Sequence, residues 1–351
     1  MSEDFTFTPA KDYTDRHGLF IALVGGTNSG KTYSGLSLAK GIAEAQGKRI
    51  AVLDTEGGRT LHLKKVFGFD VRVLEPPHRP ARYLQAAQSA QAKGYGALLI
   101  DSFSMEWRGL GGKLDWTDEK LDEFVQKKKF FAERDNERFD EEKARLAGKA
   151  AASIEPSMSH KLMELGLLGL RMPVIFAIRG ADSFDPKVNK AVFKAQCRQD
   201  FLFDVTVSFR LASDKKGIID LSDAKTWKME GDHAAIFKNG EQLSEEHGRL
   251  VNAWAAGAPL PKALSFKWTG TNGKVFPFTS AATWRDKVLI ALKGAADDTL
   301  PAALTANLAE LEAHMADAPD EAADIFNAFA SRGVYPPSKT SAGEEQSGLG
   351  V

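Results

Sequence analysis

A lysine and a threonine follow a glycine where a short apolar run gives way to a helix-like run. The pattern Gly-x-x-x-x-Gly-Lys-Ser/Thr is matched by Gly25, Gly30, Lys31 and Thr32. Glycines let the backbone turn so that successive N–H groups point at an anion, and the N-terminus of the following helix adds unpaired donors. The spacing therefore predicts a phosphate-binding loop. The alternative is a glycine-rich turn that carries a surface lysine.

The charged and hydroxyl residues of this loop have predicted tasks. Lys31 is placed to reach the β- and γ-phosphates of a nucleoside triphosphate, and the Thr32 hydroxyl is placed to bind Mg²⁺. We expect the ligand to be a nucleoside triphosphate with Mg²⁺. The residues predicted to bind the nucleotide are Gly25, Gly26, Thr27, Asn28, Ser29, Gly30, Lys31, Thr32 and Tyr33.

Two acidic residues could complete a site for hydrolysis. Asp101 follows the apolar run 97–100, where its carboxylate could hold Mg²⁺ through water, although a helix N-cap is the alternative. Glu56 follows the apolar run 49–53 and could orient or deprotonate the attacking water. The alternative for Glu56 is a loop acid that precedes two turn glycines.

Arg179 ends another apolar run, an unusual place for a cation in a buried strand. At the carboxyl edge of a parallel sheet it would lie near the γ-phosphate and could report whether that phosphate is bound. The alternative is a structural ion pair with Asp182 or Asp185 in a turn. We therefore predict Lys31, Glu56 and Arg179 as the catalytic residues.

The composition limits the classes of function. The chain has 351 residues, and its 46 basic and 47 acidic residues leave a net charge of −1, so any contact with DNA must come from a local patch. The single cysteine, Cys197, excludes an internal disulfide and suits a reducing compartment. Neither a membrane-spanning run nor a signal peptide is evident, which predicts a soluble, cytoplasmic protein without a membrane partner.

Apolar runs alternate with helix-like segments through the first two-thirds of the chain. This rhythm predicts an α/β fold with a mainly parallel sheet and crossover helices. The strand candidates are residues 19–24, 49–53, 71–74, 97–100 and 173–178. Short strands and turns are expected to extend the sheet at residues 201–212, 217–222, 225–229 and 234–240, before a closing helix at 245–257.

The composition also changes along the chain and predicts domain boundaries. The expected parts are an N-terminal segment at 1–17, a nucleotide-binding core at 18–258, a linker with a hairpin at 259–280, a small helical domain at 281–333 and a disordered tail at 334–351. Within the core, residues 107–160 form a charged helical insertion. The insertion is either a solvated surface element or an arm that binds a partner or DNA through residues 127–131.

The order of these motifs resembles that of RecA-type recombinase ATPases. The phosphate loop is followed by "VLDTEGG", by "LLIDSFS" and by a strand that ends in a polar residue. More narrowly, residues 18–257 resemble the RecA-like ATPases of phages and prophages, some of which act with single-strand annealing. The resemblance implies a RecA-like P-loop core in which Glu56 is the catalytic glutamate and Asp101 the metal-side aspartate. Arg179 stands where the recombinases usually carry a glutamine sensor.

A second loop follows Arg179 and carries four cations, Lys187, Lys190, Lys194 and Arg198. Their spacing, after the helix-start signal Asp185-Pro186, predicts that they share one helical face. Such a face, with phenylalanines nearby, suits single-stranded DNA, and the corresponding loop of RecA-type proteins binds DNA. The alternative is a solvated lysine face.

Two further lysines, Lys225 and Lys228, lie where recombinase-like ATPases carry lysines that reach the nucleotide of a neighbouring subunit. They imply a homo-oligomer with catalytic groups supplied in trans, and exposed strand lysines are the alternative.

Together these features predict an ATPase of the bacterial host cytoplasm that acts on single-stranded DNA, with phage recombination or replication proteins as further partners. The competing hypothesis is a nucleotide-switched module for protein interaction or assembly that does not bind DNA.

Overall fold

The computed structural model describes residues 18–185, 189–222, 226–229, 231–258, 266–278, 281–316 and 318–336, together with Phe7 and Pro9. The chain divides into two compact units, Met1–Leu260 and Pro261–Val351. Most of the predicted N-terminal segment and the tail beyond residue 336 lie outside the described residues. No helix in the described part of the chain has the length and apolar character that crossing a membrane requires.

The first unit is an α/β domain. Its strands are β1 Phe20–Gly25, β2 Ile50–Asp54, β3 Phe69–Val73, β4 Ala97–Asp101, β5 Val174–Asp185, β6 Lys190–Ala195, β7 Val207–Leu211 and β8 Ile219–Asp220. Its helices are α1 Lys31–Glu44, α2 Pro80–Ala92, α3 Ser104–Arg108, α4 Lys113–Arg134, α5 Glu141–Leu168, α6 Phe201–Asp204, α7 Gly231–Ile236 and α8 Glu245–Ala255.

The sheet has the strand order β3-β2-β4-β5-β1-β7-β8, with β6 paired to β5. The six strands from β3 to β7 pair in parallel, whereas β6 and β8 pair antiparallel to their neighbours. The predicted α/β class and mostly parallel sheet are therefore confirmed. Because β5 lies between β1 and β4, the carboxyl ends of these three strands meet at one edge.

The central strands are apolar along their whole length because helices cover both faces of the sheet. In β1, Ala22 and Val24 face a cluster that includes Met163 of α5, while Ile21 faces the opposite cluster with α1 and α8. Gly41 lets α1 approach α8 closely, since a Cβ at that position would lie 1.9 Å from a backbone oxygen of α8. This packing fixes the position of α1 and of the loop that precedes it.

The segment that follows Arg179 differs from the sequence prediction. It continues as strand β5 to Asp185 and returns as strand β6, so the predicted helix is wrong. Residues Gly180 to Asp185 pair with Ala195 to Lys190 in an antiparallel hairpin. The helix-start signal was outweighed by the ladder hydrogen bonds available to both segments. Residues 234–236, predicted to lie in a strand, belong instead to helix α7.

The charged stretch between Trp107 and β5 forms two long helices, α4 and α5, that pack against each other in antiparallel directions. Gly148 of α5 lies against Phe124 of α4. Ion pairs join Asp122 to Arg145 and Lys120 to Glu155. Helix α5 extends beyond the predicted insertion and inserts Met163 and Leu167 into the core, so it belongs to the domain.

The second unit has its own core. A hairpin of β9 Phe266–Thr269 and β10 Val275–Phe278 turns near Asn272-Gly273, where Gly273 has a φ of 73°. Helices α9 Ala281–Gly294, α10 Leu300–His314 and α11 Pro319–Ala330 complete the unit, with Trp284 fully buried.

Candidate nucleotide-binding site

The loop between β1 and α1 has the turned backbone that its glycines predict. Asn28 and Gly30 both have a positive φ, at 64° and 87°. A Cβ at Gly30 would lie 2.9 Å from the backbone nitrogen of Gly217, and a Cβ at Gly25 would clash with the side chain of Ser29. The N-terminus of α1 therefore opens onto a loop whose tight packing requires glycine at both positions.

The Lys31 side chain lies inside the loop. Its Nζ donates to the carbonyl oxygens of Gly25 and Gly26 at 2.8 and 2.6 Å. Burial lowers the pKa of Lys31, while the charges of Asp101 and Glu56 oppose that effect. The Nζ atom of Lys31 also contacts the hydroxyl of Ser29 at 3.4 Å. An ammonium group held by these loop groups can exchange them for phosphate oxygens.

Thr32 and Asp101, predicted as the metal-binding pair, are in direct contact. The Thr32 hydroxyl donates to Oδ2 of Asp101 at 2.5 Å. Burial raises the pKa of Asp101 to about 6, with further contributions from the charges of Glu56 and Asp54, and the hydrogen bond from Thr32 opposes the rise. A buried carboxylate beside a hydroxyl and a phosphate loop is a suitable set of hard oxygen donors for Mg²⁺. The described residues contain no cluster of three or more His, Cys, Asp or Glu side chains placed to hold a metal.

Glu56 is held between two arginines. Its Oε1 lies 2.7 Å from Nη2 of Arg179, and its Oε2 lies 2.7 Å from Nη1 of Arg59. The Glu56 side chain is only 13% exposed. The structure therefore pairs Arg179 with Glu56. In the sequence analysis, an ion pair between Arg179 and Asp182 or Asp185 was the alternative. Arg59 is a second partner of Glu56 that the sequence analysis did not predict. Its position after two glycines was the only hint.

Asp54 holds the loop that carries Glu56. Its Oδ1 accepts from the backbone N–H groups of Glu56 and Gly58, and its Oδ2 accepts from the N–H and hydroxyl of Thr60. Asp54 is fully buried and lies opposite Asp101 in the sheet register. Four hydrogen bonds to one carboxylate fix the position of Glu56 relative to Asp101.

Two neighbouring segments form hydrogen bonds with the backbone of Arg179. It lies beside Gly25 in the register of β5 and β1. Its N–H donates to Oγ of Ser104, and its carbonyl accepts from the N–H of Gln196 at 2.7 Å. The backbone of Arg179 is thus fixed at the carboxyl edge of the sheet, beside the loop between β1 and α1.

These groups line a cleft of about 810 Å³. All the predicted nucleotide-binding residues except Ser29 line it, as do Glu56, Asp101 and Arg179. The sequence analysis missed further polar residues of this cleft, namely Arg59, His62, Gln196, Lys216 and Gln242. The turn between β7 and β8 brings Lys216 to the phosphate loop, since the N–H of Gly217 donates to the carbonyl of Ser29. Only the sheet order could have revealed this neighbour.

The four cations predicted to bind DNA do not share a helical face. Lys190 and Lys194 lie on strand β6, and Lys194 is exposed. Arg198 lies beyond the strand and pairs with Glu164 at 2.8 Å, so its charge is used inside the fold. Lys187 lies outside the described residues. The predicted arrangement is therefore wrong, because two of its members lie on a strand and one in an ion pair.

Of the two lysines predicted to act in trans, Lys228 alone is among the described residues. Lys225 lies outside the described residues, and Lys228 is half-buried. The backbone of Lys228 exchanges hydrogen bonds with Ser208 of β7. Lys228 does not line the cleft.

A buried charged network lies behind the sheet edge. His160 of α5 lies 2.8 Å from Glu106 of α3 through Nδ1 and 3.0 Å from Glu164 through Nε2. Glu164 in turn binds Arg198. The network links the long helix α5 to α3 and to the segment after β6, and the sequence offered no pattern that would have joined these distant residues.

This network predicts that stability depends on pH. Burial would lower the pKa of His160, but its contacts with Glu106 and Glu164 outweigh burial and raise the pKa to about 9. Since the folded pKa exceeds the ordinary value of about 6.5, the stabilisation is present below that value and is lost as the pH rises towards 9. We expect the free energy of unfolding to fall by about 3 kcal/mol between pH 6.5 and 9.5, as the shift implies. Urea denaturation at both pH values measures it.

The matched variants are His160→Gln, which should lose most of that pH dependence, and His62→Gln, an exposed histidine whose loss should leave it unchanged. An identical fall in the native protein and in the His160→Gln variant would show that His160 is not the responsible group.

Two comparisons with known proteins were negative. No protein-family model matches the chain, and a search of curated proteins finds no match either. The fold and the site define an α/β protein with a phosphate-type loop at the carboxyl edge of a mostly parallel sheet. The functional argument therefore rests on the geometry of that edge.

Proposed function

We propose that this chain is a RecA-like P-loop ATPase that binds ATP with Mg²⁺ and acts on single-stranded DNA. The observation that carries the proposal is the convergence of Lys31, Thr32 and Asp101 at one end of a cleft, with the Thr32–Asp101 contact at 2.5 Å. Lys31 and Thr32 begin α1, whereas Asp101 ends β4, about 70 residues further along the chain. Such convergence is not required for a glycine-rich turn with a surface lysine.

In this mechanism, Lys31 exchanges the carbonyls of Gly25 and Gly26 for the β- and γ-phosphate oxygens of ATP. The N–H groups of the loop and of the first turn of α1 bind the remaining phosphate charge. Thr32 and Asp101 would hold Mg²⁺, which when bound neutralises charge that develops on the phosphates. These contacts favour the transition state by position and electrostatics.

Glu56 is the residue best placed to orient or deprotonate the attacking water. The paired arginines hold its carboxylate in place, and Arg179 also lies next to the loop glycine Gly25. A γ-phosphate at the loop would compete with Glu56 for the guanidinium group of Arg179. Competition of this kind would free Glu56 for the water and would make its release depend on the presence of the γ-phosphate.

The DNA-binding part of the proposal relies on the β5–β6 hairpin, which begins directly after Arg179. Lys194 is exposed on β6, and Phe184 on β5 is 63% exposed. Cations for phosphates and a ring for bases are what a single strand requires. At the base of the hairpin, the carbonyl of Arg179 accepts a hydrogen bond from the N–H of Gln196, and both residues line the cleft. DNA binding at the hairpin could therefore affect nucleotide binding in the cleft through this residue pair.

The hairpin cations give a specific prediction for DNA affinity. Replacing Lys187, Lys190 and Lys194 together by alanine should remove about three phosphate contacts, which corresponds to a reduction of about 2 in the log–log salt slope on single strands. Arg198 is left intact because its removal would strand the buried Glu164. The measurement is fluorescence anisotropy with a labelled oligonucleotide across a salt series, together with the ATPase rate with and without that oligonucleotide.

A matched control removes three other lysines, Lys127, Lys128 and Lys129, from helix α4. This variant should keep the native salt slope and any stimulation of hydrolysis by DNA. The reverse result, loss of binding in the α4 variant alone, would move the DNA site to the helical arm. If the native protein binds no oligonucleotide at low salt with ATP, the DNA part of the proposal is wrong while the nucleotide site stands.

The proposal includes a homo-oligomer, with Lys225 or Lys228 reaching the nucleotide of a neighbour, and a location in the cytoplasm of a bacterial host beside phage recombination or replication proteins. The competing function is a nucleotide-switched interaction module. One observation favours it: a long helix of the described structure, α5, exposes large apolar side chains, among them Leu146 and Leu165. ATPase stimulation by single-stranded DNA separates the two functions.

A further inference from the structure

Helix α5 carries an apolar face that the described part of the chain leaves exposed. Five large side chains of this helix are between 56% and 70% exposed, namely Leu146, Ile154, Met158, Leu162 and Leu165. From Ile154 onwards they recur at intervals of four, four and three residues, the spacing of one helical face. Three exposed alanines, Ala147, Ala150 and Ala151, continue the face towards the N-terminus of the helix.

The opposite side of α5 already has its partners. Gly148 and Ala152 are buried, with Gly148 against α4, and Met163 and Leu167 lie in the core of the domain. The exposed face is therefore not needed to hold α5 in place. Contiguous apolar patches of this size on a soluble protein commonly mark an interaction surface.

We propose that this face of α5 binds the same face of a second copy of the chain, in a two-fold antiparallel pair. From Ala147 to Leu165 the small side chains lie towards the N-terminal end of the face and the large ones, from Ile154 onwards, towards its C-terminal end. In an antiparallel pair centred at the height of Pro156, Ala150 faces Leu162 of the copy and Ala147 faces its Leu165. Each bulky side chain then packs over a small one, whereas a parallel pair would set large against large.

The centre and the charges of the face fit the same arrangement. Ile154 of one copy faces Met158 of the other on both sides of the two-fold axis. Lys161, an exposed cation on this face, would face Ala151 of the other copy. Its aliphatic chain can then cover the alanine while its ammonium group reaches water. Glu155 lies outside the face, in an ion pair with Lys120.

The area is sufficient for a specific pair. At their observed exposures, the four large side chains from Ile154 to Leu165 and the three alanines would bury on the order of 500 Å² of surface per copy, given the areas typical of such side chains. Two copies would then bury roughly 1,000 Å², the lower bound for a specific interface. Because the same surface serves both copies, this interface closes at two chains.

The test is sedimentation velocity of the full chain over a hundredfold range of concentration, without nucleotide or DNA. The native protein should shift from the mass of one chain to that of two. Ile154→Glu and Met158→Lys should each weaken association at least tenfold, because each places two charges in the apolar centre. Ile290→Glu is the matched control, since Ile290 is 67% exposed on a helix of the other unit and should not matter.

Mixing the two variants tests the register. In an antiparallel pair, the substituted position 154 of one copy faces the substituted position 158 of the other, so an equimolar mixture should associate more tightly than either variant alone. Circular dichroism and nucleotide binding verify that each variant is folded. A native protein with the mass of one chain at every concentration would overturn the proposal, as would a mixture no tighter than its components.

Discussion

Replacing Lys31 by alanine should abolish ATP hydrolysis and weaken ATP binding. The ammonium group is the cation that the loop itself directs at the phosphates, and it is held 2.6 to 2.8 Å from two loop carbonyls that a phosphate can replace. Loss of a charge that contacts the transferred phosphoryl group typically costs a factor of 10² or more in turnover. Steady-state phosphate release and calorimetric titration with a slowly hydrolysed ATP analogue measure the two effects.

Lys40→Ala is the control for this variant. Lys40 lies on the same helix but pairs with Glu245 at 2.7 Å and does not line the cleft, so its replacement should leave turnover within a factor of two or so of the native rate, as expected for an exposed ion pair. Native turnover in the Lys31→Ala variant would show that the loop is not the site of hydrolysis.

Replacing Glu56 by glutamine should separate binding from hydrolysis. The substitution keeps the shape of the side chain and removes the charge that binds Arg59 and Arg179. ATP should still bind, since Lys31, Thr32 and the loop are unchanged, and release of two guanidinium groups next to the phosphates would favour an anion. Turnover should fall by about 10² to 10⁴, the range for a lost general base.

Single-turnover kinetics at saturating ATP measure this effect without interference from product release. Glu44→Gln, at the exposed end of α1, is the matched control and should hydrolyse ATP at the native rate. If Glu56→Gln hydrolyses ATP as fast as the native protein, the general base lies elsewhere, and Glu56 serves only to anchor the two arginines.

The sheet and the grouping of most candidate-site residues could be predicted because local sequence determines them. Residues 19–24 are apolar on both faces of a central strand, and Gly25, Gly30 and Lys31 follow at a spacing that few other structures require. Asp101 and Glu56 were predicted from their positions after apolar runs, since carboxyl ends of parallel strands meet at one edge. These residues lie in the same cleft.

What the sequence did not predict depends on pairing between distant segments. Asp185-Pro186 favours a helix start locally, but ladder hydrogen bonds between β5 and β6 produce a hairpin. From the sequence, Arg198 was predicted to be a surface cation, but in the structure it pairs with Glu164 of α5. Arg59 and Lys216 reach the cleft through a short helical turn and a strand connection whose positions follow only from the assembled sheet.

The central claim is that the cleft above Lys31 binds a nucleoside triphosphate with Mg²⁺. Calorimetric titration of the native full-length chain with a slowly hydrolysed ATP analogue and Mg²⁺ tests it most directly. We predict saturable binding of one nucleotide per chain, weakened at least tenfold in the Lys31→Ala variant and unchanged in the Lys40→Ala variant. Absence of binding by the folded native protein, or equal affinity in the native and Lys31→Ala proteins, would contradict the claim.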